Sequence, residues 1–253
     1  MQFFSSPFEA WVDLYVLKVK KNPFKRDPED PLKHLIGMLG AEHEQEVLRT
    51  LKLDYGSIAI IPEGSLEDKV ISTQEAMIRG EEVIYQAYLE DDNFYGRPDF
   101  LIKKKGKSKF GDYFYEILDA KLARNAKPEY LIQLLCYSEL LEKKQEQRIS
   151  RAWLAYGSGA IEEFNLNKYK FFYSTFKKDF MKFHKNFEPS LVPNPELFNN
   201  WGYYSEAAKK ILLAKNNLSL VTGIRQSQIL KLGNSGVTNM KDLANLESSR
   251  KVS

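Results

Sequence analysis

The chain has 253 residues, with 37 lysines and arginines against 34 aspartates and glutamates, a formal charge of +3. That length and a 43% apolar composition allow one large domain, or one plus an appendage, while the mild charge excludes a strong global field. The single cysteine, Cys136, excludes an internal disulfide framework, a four-cysteine zinc site and a four-cysteine iron–sulfur cluster. No basic segment leads into a long apolar run at the amino terminus, and no apolar stretch reaches the roughly 20 residues of a membrane span, so a cytoplasmic protein is expected.

Ser5-Ser6-Pro7 opens the first helix, in which Phe8, Trp11, Val12, Tyr15 and Val16 recur at helical spacing. Asn22 to Pro31 is polar and proline-rich and reads as a loop. A helix follows from about Leu32 to Leu53, one side of which faces a core, with His43 and Glu44 in its middle. Ser57 to Pro62 reads as a short strand, and Leu66 to Arg79 as a helix ending near Gly80. Val83 to Leu89 and Phe94 to Ile102 are aromatic-rich segments separated by Glu90-Asp91-Asp92-Asn93, which predicts an antiparallel hairpin. Lys103 to Lys109 reads as a basic loop, either a solvated turn or a contact for a phosphate backbone. Tyr113 to Leu122 returns as a strand.

Alternation along that strand puts Asp119 and Lys121 on one face and Leu118, Ala120 and Leu122 on the other. Asp99, in Gly96-Arg97-Pro98-Asp99, lies at the head of the preceding strand. Two carboxylates hold a hard divalent cation through oxygen, and a neighbouring lysine orients a water or offsets phosphate charge. An ordinary solvent-facing Asp and Lys on an edge strand fits the same pattern.

A strong helix runs from Pro128 to about Gln145. Gln133 and Tyr137, four apart, project one above the other from it, as an internal polar bridge or toward site groups. Cys136 reads as a small packing residue. Ile149 to Tyr156 and Ala160 to Leu166 form a strand pair around Gly157-Ser158-Gly159. Lys168 to Phe187 is a helix with Phe172, Phe176, Phe180 and Phe183 as a buried stripe and Lys178, Lys182 and Lys185 on another face. Pro189 to Pro195 marks a boundary, giving a core over 1–190 and a helical appendage over 191–253. Trp201 to Leu213 is helical. Two short helices within 218–246, around Gly233 to Gly236, resemble a helix–hairpin–helix module, and Glu247 to Ser253 reads as a frayed tail.

Taken together, His43, Gly96-Arg97-Pro98-Asp99, Asp119-Ala120-Lys121 and Gln133-Leu134-Leu135-Cys136-Tyr137 resemble the motifs of the RecB-like branch of the PD-(D/E)XK nucleases. The resemblance covers roughly residues 1–187, with Asp119 standing where Glu is commoner. It implies an α/β restriction-endonuclease-like core, a mixed β-sheet flanked by helices. It also implies a nuclease that uses Mg²⁺ or Mn²⁺, one ion or two, to hydrolyse DNA phosphodiester bonds at ends or on single strands, in repair, processing or defence. Asp99, Asp119, the Ala120 carbonyl and His43 would be metal ligands. Lys121 would position the nucleophile, and Gln133 and Tyr137 would shape the site.

Many relatives of this branch carry iron–sulfur cysteines before and after the core. Here Asn199, Asn200, Trp201 and Gly202 occupy the corresponding stretch, so no cluster is expected, and packing of Phe198, Trp201, Tyr203 and Tyr204 is expected to tie the chain ends together instead. There is no Walker motif, so a helicase partner would come from another chain or another part of a longer one. The competing reading is a non-catalytic nucleic-acid-binding module of a larger helicase–nuclease assembly. Intact Asp99, Asp119 and Lys121 speak against it. RNA is a third, weaker candidate substrate.

Overall fold

The computed structural model describes residues 2–197 and 200–246; Phe198, Asn199 and the predicted tail from 247 to 253 lie outside the described residues. In chain order the helices are α1 (Gln2–Ser5), α2 (Pro7–Lys18), α3 (Pro31–Tyr55), α4 (Leu66–Arg79), α5 (Pro128–Gln145), α6 (Lys170–Lys185), α7 (Ser205–Ala214), α8 (Gln226–Asn234) and α9 (Met240–Ala244). The strands are β1 (Ala59–Ile60), β2 (Val83–Tyr85), β3 (Leu89–Glu90), β4 (Tyr95–Gly96), β5 (Phe100–Ser108), β6 (Gly111–Lys121), β7 (Arg151–Tyr156) and β8 (Ile161–Asn165).

Contacts divide the chain into two compact units. One is Glu29–Asp179; the other joins Met1–Pro28 to Phe180–Ser253. The sequence placed its boundary at 190 instead. Nothing local in α2 announces that its apolar face, Phe8, Trp11 and Val12, is covered by Tyr204 and Ala208 from the far end of the chain. Trp201 packs against the same cluster, and Tyr203 donates its N–H to Glu9, so three of the four aromatic residues expected to join the ends do so. They precede α7, which starts only at Ser205. In the same unit, Leu218, Ile229 and Val237 form a small core under α8 and α9.

In Glu29–Asp179 a mixed sheet has the order β1-β2-β5-β6-β7-β8. The β1–β2 and β6–β7 pairs are parallel; β2–β5, β5–β6 and β7–β8 are antiparallel. Residues of α4 and α5, among them Met77, Leu134 and Leu141, cover one face together with Leu101, Ile117 and Leu154. Leu48 and Leu51 of α3 cover the other, over Val83, Phe100 and Leu118. Helix bounds follow local signals. Ser65 and Asp68 form a reciprocal capping box at the start of α4, and left-handed Gly80 ends it.

Three expectations change. Lys103 to Lys109 is not a loop: β5 continues to Ser108, because Lys103, Lys104 and Lys105 pair with Tyr115, Phe114 and Tyr113, with Lys103 held on Glu82 at 2.8 Å and Lys104 over the Trp153 ring. The hairpin between 83 and 102 is split. β2 stops at Tyr85 and pairs with β5, while β3 and β4 form a separate two-stranded ribbon. The phenylalanine stripe of α6 is not buried. No residue of that helix is fully buried: Phe172 is 45% exposed, and Phe180 and Phe183 are half-buried against the ring of Phe3. Among the described residues no helix is long and apolar enough to cross a membrane.

Candidate active site

The β5–β6 register pairs Phe100 with Leu118, which sets Asp99 opposite Asp119 at the next position. Cross-strand neighbours on one face of an antiparallel pair lie only about 5 Å apart at Cβ. The two acids are also stitched by the backbone. Asp99 Oδ2 accepts the Ala120 N–H at 2.8 Å, and Asp119 Oδ1 accepts the Asp99 N–H at 3.4 Å. Asp119 is 1% exposed, and its Oδ2 accepts a hydrogen bond from Lys121 Nζ. The Lys121 ammonium also stands 5.5 Å from the centre of the Tyr130 ring.

This packing sets the electrostatics. Burial, and then the Asp119 charge, push the Asp99 carboxyl well above its ordinary value, against the pull of Lys121; Glu44 adds to the rise. Burial alone would lower Lys121, but Asp119 and Asp99 outweigh it and hold the amine above its ordinary value. Lys121 therefore stays an ammonium inside the protein.

Gln133 and Tyr137 meet as their spacing predicts, with Gln133 Nε2 donating to Tyr137 Oη at 2.6 Å. This is the internal bridge. Because the hydroxyl accepts, its own proton is left to donate. Burial, and then Asp119, raise the phenol above its ordinary value, so it stays protonated. Tyr137 reaches this place only because position 96 is glycine. A Cβ there would lie 2.6 Å from Tyr137 Cδ1. Gly96→Ala is expected to displace the ring and cost about 1–3 kcal/mol as overpacking. Urea unfolding would check it, and a stability within error of wild type would show that the ring moves freely.

His43 does not join the acids. Its Nε2 lies 2.9 Å from the Ala155 carbonyl oxygen as the hydrogen-bond donor, and Ala155 is the register partner of Ala120. The ring lines a hollow of about 220 Å³ with Glu46, Thr50, Asp54, Tyr156 and Gly157, among other residues. The helix neighbour Glu44 reaches the acidic centre instead. Its Oε1 accepts from Tyr85 Oη at 2.7 Å and from Gln86 Nε2. Tyr85 and Gln86 are site-neighbouring residues outside every motif read from the sequence, while Glu44 and Arg97 stand inside quoted motifs, beside His43 and Asp99, with no role assigned to them there. Cys136 is partly buried against the core, and burial raises its thiol, in keeping with a packing role.

Among the described residues no three His, Cys, Asp or Glu side chains converge tightly as a metal centre. The chemistry of the donor set still fits a hard cation. Asp99 and Asp119 are all-oxygen donors held face to face, and one ammonium stands beside the two carboxyls with Glu44 as the nearest further acid. Compared with models of known protein families and with curated proteins, the sequence matches none.

Proposed function

We propose that this chain is a metal-dependent nuclease of the PD-(D/E)XK type, hydrolysing phosphodiester bonds of DNA at ends or on single strands. The observation that carries the reading is the opposed pair Asp99 and Asp119, with Lys121 hydrogen-bonded to Asp119 and the Ala120 N–H fixing Asp99. An α/β unit with an acid-bearing hairpin, a helix with Gln133 and Tyr137, and then a parallel strand supports the same reading.

Asp99 and Asp119 would hold Mg²⁺ or Mn²⁺, with Glu44 the nearest further acid. Bound there, the ion supplies Lewis-acid polarisation of a phosphate and neutralises charge. The chain's own groups do the rest. Lys121, kept charged in a buried place, orients a water and offsets charge building on the phosphate oxygens. Tyr137, kept protonated, offers a hydrogen-bond donor to the strand. Gln133 fixes the direction of that hydroxyl.

The test is cleavage of end-labelled single- and double-stranded DNA with Mg²⁺, Mn²⁺ or EDTA. Cutting in either metal that stops in EDTA is expected, and the product ladder reports end preference and polarity. Binding without cutting under every condition would replace the reading with that of a non-catalytic binding module.

A further inference from the structure

Gln86 is where β2 ends, and its φ of 58° lies in the left-handed region. A non-glycine residue holds that conformation at a cost, and does so where the surroundings over-determine it. Its N–H donates to the Asp99 carbonyl at 2.7 Å, which pins it to the residue bearing the first acid. Its side-chain amide then spans two charges. Nε2 donates to Glu44 and Oε1 accepts from Arg97 Nε. A glycine would carry this backbone without strain, but nothing would then link the carboxylate to the guanidinium.

The bridge has a chemical consequence. A neutral amide between Glu44 and Arg97 keeps them from closing into a direct ion pair, and the other acid within reach of the guanidinium charge, Glu63, is already paired with Lys69. Arg97 spends Nε on Gln86, and its two terminal nitrogens make no hydrogen bond among the described residues. Its guanidinium lies 5.8 Å from the centre of the Tyr88 ring, and Lys69 Nζ lies 5.1 Å from the same centre. An exposed guanidinium with a free fork, steadied beside an aromatic ring, suits bidentate contact with a phosphate.

We infer that Arg97 clamps a backbone phosphate of the bound strand beside the acidic centre, and that Gln86 is the positioning residue that aims it. This rests on the phosphodiester reading of Asp99 and Asp119.

The test is fluorescence anisotropy of a labelled single-stranded oligonucleotide in EDTA, over a series of salt concentrations. Arg97→Ala is expected to weaken binding about tenfold and to lower the salt slope by about one. Arg97→Lys should recover the slope but not the affinity, since it keeps the charge and loses the fork. Gln86→Gly should weaken binding about threefold at an unchanged or higher melting temperature, because strain is relieved. Added to Arg97→Ala, it should cost nothing further. Binding by Gln86→Gly equal to wild type, or effects of the two changes that simply add, would overturn the positioning role. An unchanged slope in Arg97→Ala would overturn the clamp. Wild type that binds but never cuts would sink the hydrolytic reading alone, since these binding results stand without catalysis.

Discussion

Asp119→Ala is expected to lower metal-dependent DNA cleavage by on the order of 10³-fold or more, a loss of several kcal/mol of transition-state stabilisation. Three effects coincide at this side chain. It is one of two opposed carboxylates, so its loss halves the donor pair. It is the hydrogen-bonded partner of Lys121, whose side chain is only 18% exposed. With that charge gone, burial acts on Lys121 with less opposition, and a neutral amine neither orients a water nor offsets phosphate charge as an ammonium does. Binding should suffer far less, because Arg97 and the exposed lysines of β5 are untouched. Cleavage rates and EDTA anisotropy on the same preparation separate the two. Asp119→Asn, which keeps shape and most hydrogen bonding, guards against mistaking misfolding for lost chemistry. A rate for Asp119→Asn within tenfold of wild type would remove Asp119 from the site.

Asp99→Asn should be inactive yet more stable than wild type at neutral pH, by about 1 kcal/mol in EDTA, as happens when a carboxylate held for function is neutralised. The direction follows from the raised Asp99 carboxyl, caused first by burial and then by Asp119. The folded chain holds a proton there that the unfolded chain releases. Above the unfolded carboxyl value of about 3.9, wild-type stability therefore falls as pH rises, until the folded carboxyl has also ionised. Below that window the penalty is absent, so wild type and variant should converge in acid and part toward neutrality. In melting temperature the neutral gap would be about 2–4 °C for a chain of this size. Mn²⁺ should raise wild-type melting by mass action and leave Asp99→Asn unmoved. A variant less stable than wild type at pH 7, or a gap independent of pH, would show that Asp99 is held by its hydrogen bonds and not strained by its neighbour.

What the sequence determined by itself are features set within one element or between adjacent strands. The bounds of α4 and α5 follow from Ser65, Gly80 and Pro128. The meeting of Gln133 with Tyr137 follows from four-residue spacing on a helix, and Asp99 stands at the head of the strand before the one that bears Asp119, although it is the β5–β6 register of the fold that sets the two opposite.

What only the tertiary structure decided is how each element is turned about its own axis, and which distant segment covers it. Periodicity gives a helix an apolar face but not its rotation against the sheet. His43 and Glu44 are neighbours in sequence, yet packing of Leu48 and Leu51 sends one to the Ala155 carbonyl and the other to Gln86 beside the acids. A lysine-rich run reads as a loop until a partner strand offers hydrogen bonds and acids beside it, as β6 and Glu82 do for Lys103. Nor does any local signal announce a left-handed glutamine. Its conformation is selected by the Asp99 carbonyl, Glu44 and Arg97, which the fold brings together from separate elements.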